Sequence, residues 1–313
     1  MSTESRRLPS SNTGRNRALN RAKQKNDAMG ASSFLTAPTQ AELNIKQAQY
    51  QNGLDQIAVS AQALGLLSIA KNEQFALSEM FISHFFQVFN LGIKRGKYSA
   101  ADRAFYKLDV SSDAVPPLVT GDDLLEWGYN IKKGEADRVA AGGTPMVNPS
   151  AAEVDAVFVL FNDAFVAHNT ATEALDQKRE VIENHNAAVD KLIKKIWNEV
   201  ETFYGDEEPE SMRQNARLWG VVYDRQGGTK TISGKVTDAV SGLPVEGILV
   251  KLEGAINKAT TNAAGEYSFT TTMMDEQVIT ATPPKDSNYQ PYAAEITLTE
   301  GQNLTHQITL LRK

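Results

Sequence analysis

The sequence predicts a multi-domain α plus β protein. A duplicated helical-hairpin domain, four-helix-bundle-like, is followed by a seven-stranded β-sandwich. Three observations predict this. First, Pro38-Thr39-Gln40-Ala41-Glu42-Leu43 returns 111 residues later as Pro149-Ser150-Ala151-Ala152-Glu153-Val154. Second, the same gap-free register sets apolar on apolar over about fifty positions: Tyr50 on Phe161, Leu64 on Leu175, Ile82 on Ile193, Phe86 on Trp197. Third, the hydrophobic period changes from helical to alternating after Thr231.

In chain order, residues 1–30 have few large apolar side chains and read as a basic flexible tail, with a short helix open to Ala18–Asn26. The duplicated body is expected over 31–225, with repeat 1 at about 33–112 and repeat 2 at about 144–223. In repeat 1, Thr39-x-x-Glu42 has the form of a capping box. Leu43, Tyr50, Ile57 and Leu64 then recur every seven residues, one apolar stripe of a helix ending near Ala70. A second helix is expected from Asn72 to about Lys94, with Phe75, Leu77, Phe81, Phe85, Val88 and Leu91 inward.

Repeat 2 follows the same logic. Ser150-x-x-Glu153 caps a stripe of Val154, Phe158, Phe161, Phe165 and Leu175. Val189, Leu192, Ile193, Ile196, Trp197 and Val200 continue it, with a turn or kink favoured at Glu183–Asn186. Shorter helices are expected at Ser99–Leu108 and Ser211–Trp219. Another opens at Thr120-Gly121-Asp122-Asp123 and stops before Gly142-Gly143, its acidic start suiting the positive end of the helix dipole. Gln226-Gly227-Gly228 reads as a hinge at the domain boundary. From 231 to 313, seven short strands at roughly 8–12-residue spacing suggest a small sandwich.

Within that segment, Gly234-x-Val236-x-Asp238-x-x-x-Gly242-x-Pro244-x-x-Gly247-x-x-Val250 precedes Thr260 and Gly265-x-Tyr267-x-Phe269. These residues resemble a carboxypeptidase regulatory-like domain, a seven-stranded sandwich related to transthyretin. The resemblance implies a non-catalytic accessory module for stability, display or binding. It covers about a quarter of the chain, and no metallopeptidase catalytic domain accompanies it.

Motifs for chemistry are missing from the sequence. There is no cysteine, so zinc-thiolate sites, disulfides and cysteine nucleophiles are excluded. The four histidines, His84, His168, His185 and His306, show no metal-ligand spacing. His84 and His168 read as core or boundary histidines that set helix register. No nucleophile elbow, phosphate loop or dinucleotide fingerprint occurs. The expectation is therefore no enzyme, no cofactor and no metal.

Charge supplies the candidate interaction residues. The net charge is −6, yet residues 1–30 carry +5 and the remainder −11. Arg6, Arg7, Arg15, Arg17 and Arg21 form a basic arm that suits an acidic neighbouring copy. No aromatic residue lies among them, which disfavours nucleic acid. Tyr289 and Tyr292 read first as strand-edge packing; read instead as exposed aromatics, they are the only sequence support for the alternative of a glycan- or peptide-binding module with the helices as spacer. No apolar run is read as long enough to span a bilayer, and no secretory signal is read at the N-terminus. The starting point is cytoplasmic, with export by a signal-independent route open. The leading expectation is a structural or interaction protein, a homo-oligomer or part of a larger assembly.

Overall fold

A computed structural model describes residues 6–223, 226–299 and 301–313. The first five residues of the expected tail, and residue 225 at the end of the expected helical body, lie outside the described residues. The expected hinge at Gln226–Gly228 is instead the start of a strand, Gln226–Asp238. The chain is about 55% helical with a C-terminal sheet region. It folds into two compact units, Met1–Gln62 with Ala174–Lys313, and Ala63–Glu173. This division cuts through both expected repeats, and it groups the β-region with the N-terminal arm.

The helical order is α1 (Asn12–Met29), α2 (Ala37–Lys94), α3 (Gly121–Ala140), α4 (Ala151–Phe203) and α5 (Pro209–Arg217). Short 3-10 helices occupy Gly30–Ser32 and Ala100–Tyr106. The expected breaks at Asn72 and at 183–186 are absent, so α2 and α4 are single helices where hairpins were expected. No proline or capping glycine sits at either place to stop the ladder. Asn186 has a positive reason to be polar inside a helix: its Oδ1 accepts from the Tyr50 hydroxyl at 2.7 Å, and its Nδ2 donates to Asn12 Oδ1 at 3.1 Å.

The two helix starts also differ. At α4, Ser150 Oγ accepts from the Glu153 amide at 3.2 Å while the Glu153 carboxylate accepts from the Ser150 amide at 2.7 Å, the capping box as expected. Thr39 is instead inside α2, which begins at Ala37. Its hydroxyl donates to Glu199 Oε1 on α4 at 2.5 Å.

In the unit of 63–173, Ile82, Phe85, Phe86 and Phe89 pack with Tyr106, Leu124, Ile131, Val154 and Phe161. Edge-on ring pairs such as Phe85–Tyr106 (5.6 Å) and Phe86–Trp127 (5.9 Å) order this core. One buried polar hub is embedded in it. Arg138 donates to Glu135 through Nε (2.9 Å) and Nη2 (3.0 Å), and to the Thr144 carbonyl at 2.6 Å. The Tyr106 hydroxyl donates to Glu135, and Arg138 stacks 4.9 Å from the Tyr98 ring. Burial opposes the Arg138 charge, but Glu135 and Tyr106 more than compensate and raise its pKa.

In the other unit, the helical core joins Ala18, Leu19 and Ala22 of α1 to Leu43 and Tyr50 of α2. Ile182, Val189, Ile193, Trp197 and Val200 of α4 complete it. Beyond it come β1 (Gln226–Asp238), β2 (Leu249–Leu252), β3 (Lys258–Thr260), β4 (Glu266–Met273), β5 (Asp275–Thr282), β6 (Tyr292–Leu298), β7 (Leu304–Thr305) and β8 (Ile308–Leu310). One sheet runs β4-β1-β7, with β8 also on β1; the other runs β3-β2-β5-β6. The last two strands pair parallel to successive parts of β1, at Ile232↔Leu304 and Val236↔Ile308. The seventh strand expected from the sequence, Leu304 to Leu311, is thus two short strands, Leu304–Thr305 and Ile308–Leu310.

Alternation puts Ile232, Val236, Tyr267, Val250, Ile279, Ile296 and Ile308 into one core drawn from both sheets. Motif glycines serve the turns: Gly242, Gly247 and Gly265 take φ of 69°, 79° and 73°. Asp238 of the motif is buried. It accepts from the Val240 amide (2.8 Å), the Ser241 amide (2.9 Å), the Tyr289 hydroxyl (2.8 Å) and Arg312 Nε (2.7 Å). Burial acts against its charge, but these donors hold its carboxyl far below the usual carboxylate range.

Candidate interaction surfaces

The basic arm is folded where a flexible tail was expected. Ser11 opens α1, its Oγ accepting from the Gly14 amide at 3.0 Å. The Glu253 carboxylate, reached from the end of β2, accepts from the Ser11 amide (2.6 Å), the Ser11 hydroxyl (2.8 Å) and the Ser10 amide. An anion at a helix N-terminus is favoured by the dipole and by the unpaired amides there. Burial raises the Glu253 pKa, and the Ser10 and Ser11 donors more than reverse that, so the carboxyl titrates below its usual range.

Four of the five arm arginines have definite partners in their own chain. Arg6 Nη1 meets Glu201 Oε2 at 2.7 Å, and its guanidinium lies 5.9 Å from the centre of the Trp197 ring. Arg7 donates to the Glu253 carbonyl and to Gln277 Oε1 at 2.9 Å. Its path is open because position 254 is a glycine at φ 76°, where a Cβ would collide with Arg7. Arg15 makes a two-pronged pair with Asp190 at 2.7 and 3.0 Å. Arg21 pairs with Glu276. Arg17 is only 7% exposed, and its Nη1 has no hydrogen-bond partner. The acidic neighbour expected of the arm is therefore the protein's own α4 and β-region.

Tyr289 and Tyr292 do not form an exposed platform. Both are half-buried; the Tyr289 hydroxyl donates to Asp238, and the Tyr292 hydroxyl lies 3.1 Å from His306 Nε2. His168 is half-buried, in keeping with a boundary position, whereas His84 is exposed and neither in the core nor at its boundary. No cluster of three or more metal-capable side chains occurs among the described residues.

The surface missed by sequence reading is an apolar face of α2. Val59, Leu66, Met80 and Leu91 are exposed by 68, 67, 55 and 50%, and Leu77 by 36%, so Leu77 and Leu91 do not face inward as expected. With the exposed Ala63 and Ala70, these residues alternate at steps of three and four, the seam of a coiled coil, interrupted at Glu73, His84 and Gln87. By length and composition α2 is also apolar enough to cross a membrane, with an 18-residue window of mean hydropathy 1.3 that is 17% buried. That corrects the expectation of no such stretch. Interspersed Ser, Gln and Gly hid it, although Ala, Leu, Ile and Val dominate the average.

With this geometry in view, residues 231–311 match the family model described as carboxypeptidase regulatory-like domain. The C-terminal segment carries a carboxypeptidase regulatory-like domain. No curated protein matches the chain. Among solved structures, similarity is found to an interface mutant of a type II cohesin–X-dockerin complex from Acetivibrio cellulolyticus, 18% identical at a TM-score of 0.22. That match covers 26% of this chain and 56% of the other. The minor pilin GBS52 of Streptococcus agalactiae is 12% identical at a TM-score of 0.24, covering 30% of this chain and 48% of the pilin. An (S)-allantoin synthase is 11% identical at a TM-score of 0.21, covering 68% and 94%. The chain spans about half the length of the first two, and likeness at these scores bears on no functional conclusion.

Proposed function

We propose that this is a non-enzymatic structural or interaction protein, a helical scaffold that displays its regulatory-like domain and self-assembles. The observation that carries the reading is the exposed seam of α2, Val59 to Leu91. A coiled-coil seam open to water is unfavourable by roughly 25 cal/mol per Å² of apolar surface, and a second copy presenting the same seam removes that exposure. The duplication belongs to this proposal too. Register partners share their burial: Tyr50 and Phe161, Leu64 and Leu175, and Ile82 and Ile193 are all fully buried. The regulatory-like domain is read as one seven-stranded sandwich in which β7 and β8 count as a single jogged strand. The alternative of glycan or peptide capture is less favoured here, because Tyr289 and Tyr292 are half-buried and their hydroxyls face Asp238 and His306.

Light scattering after size exclusion, over a concentration series at low and high salt, tests the reading. Association through an apolar seam should persist or strengthen in salt, whereas arm-to-neighbour ion pairing would weaken. A monomer at every concentration and salt would sink self-assembly.

A further inference from the structure

A cavity of about 310 Å³ lies beside α1, lined by Arg17, Arg21, Arg217, Val221, Met274 and Glu276 among others. Its volume is at the small end of ligand pockets. Two of its cations already face carboxylates: Arg21 is paired with Glu276, and Arg217 Nε lies 3.9 Å from Asp275 Oδ2. Arg17 differs. It is 93% buried by its 7% exposure, and Nη1 is left without a partner. Glu295, Glu276 and Glu253 act on it only through space, and burial outweighs them in lowering its pKa. A buried guanidinium without an ion pair is strongly unfavourable, and such an orphan marks a place where a further anion belongs.

We propose that this cavity is a binding site for a small organic anion, with the charged head on Arg17 and Arg217 and an apolar body against Val221 and Met274. The head is a carboxylate or a phosphate; both offer acceptors to a guanidinium fork. Asp275 and Glu276 at the same cavity repel additional negative charge, so a ligand with a single anionic group fits better than a polyanion.

Isothermal titration of the full-length protein with hexanoate, hexyl phosphate, inorganic phosphate and hexanol tests this. Hexanoate or hexyl phosphate should bind saturably with one site, and the tighter of the two names the head group. Arg17→Met, checked for folding by circular dichroism, should weaken that binding about tenfold or more, the scale of a lost charged hydrogen bond. Arg217→Gln, on the rim, should weaken it several-fold and decides the matter if Arg17→Met does not fold. Absence of saturable binding by either alkyl anion overturns the proposal. Binding of hexanol or of inorganic phosphate as tight as that of the alkyl anions also overturns it, as does equal affinity in the folded variants.

Discussion

Helices α1 and α2 invert the usual relation between composition and burial. Helix α1 is polar and arginine-rich, yet Leu19 and Ala22 are fully buried and its N-terminus is held by Glu253. Helix α2 is far more apolar, yet it leaves Val59, Leu66 and Met80 more than half exposed. The difference is one of partners. Small residues on one face of α1 let it approach closely, while Arg15 and Arg21 find carboxylates on α4 and in the β-region. On α2 one stripe meets a partner within the fold and the opposite stripe does not. Composition indicates what a helix can bury; only the presence of a complementary surface decides what it does bury.

Removing the carboxylate that holds α1 is the largest way to break this comparison. Glu253→Ala leaves the Ser10 and Ser11 amides and the Ser11 hydroxyl without their acceptor. A loss of about 3 kcal/mol or more is expected, the scale for breaking a buried charged network. Urea denaturation measures the loss, and hydrogen exchange should show α1 amides exposed first. An unchanged midpoint with α1 still protected would mean that apolar packing alone holds the helix.

Acid should act on the same contact. Because the folded carboxyl of Glu253 titrates below its unfolded value of about 4.3, its contribution is complete above that value and disappears as pH falls through the lower folded one. Asp238 acts in the same direction at still lower pH. Protease sensitivity of residues 6–30, followed from pH 7 downward, should rise below about pH 4 in the wild type. In Glu253→Gln that acid dependence should be blunted. Equal acid sensitivity in the two proteins would assign the transition to other carboxylates.

The sequence showed the inward stripes well. Leu43, Tyr50, Leu64, Val154, Phe161, Leu175 and Trp197 follow a helical period whatever they pack against, and all are buried. The regulatory-like segment was equally readable, because its glycines answer to local backbone geometry. The contacts of the arm were not readable. Arg7 and Glu253 are 246 positions apart, and Arg15 and Asp190 are 175 apart. Complementary charge at such separation has no period to detect. The exposed seam of α2 was misread for another reason: its alanines and interspersed polar residues look like a solvated face, and Leu77 and Leu91 read as inward among the neighbouring phenylalanines, until the burial of each position is known.

A smaller loss is expected from Arg15→Ala. The pair with Asp190 is two-pronged but partly solvated, so about 1 kcal/mol is the scale. Adding salt should narrow the gap between mutant and wild type in urea melts. A loss as large as that of Glu253→Ala would mean that the ion pair, and not the helix cap, is the principal tie.

The smallest effect on folding should come from Leu66→Glu on the bare face of α2, and it carries the sharpest contrast. The side chain is 67% exposed, so nothing packed is removed, and stability of the isolated chain should stay within about 0.5 kcal/mol. Association should nevertheless collapse, because a carboxylate at the seam must be desolvated without a partner when a second copy arrives. Leu43→Glu on the opposite stripe is the matching control: fully buried within the fold, it should unfold the chain outright. Analytical ultracentrifugation of Leu66→Glu beside the wild type reads the outcome. A mutant that associates as the wild type does would leave this face solvated in the assembly and assign self-association to another surface.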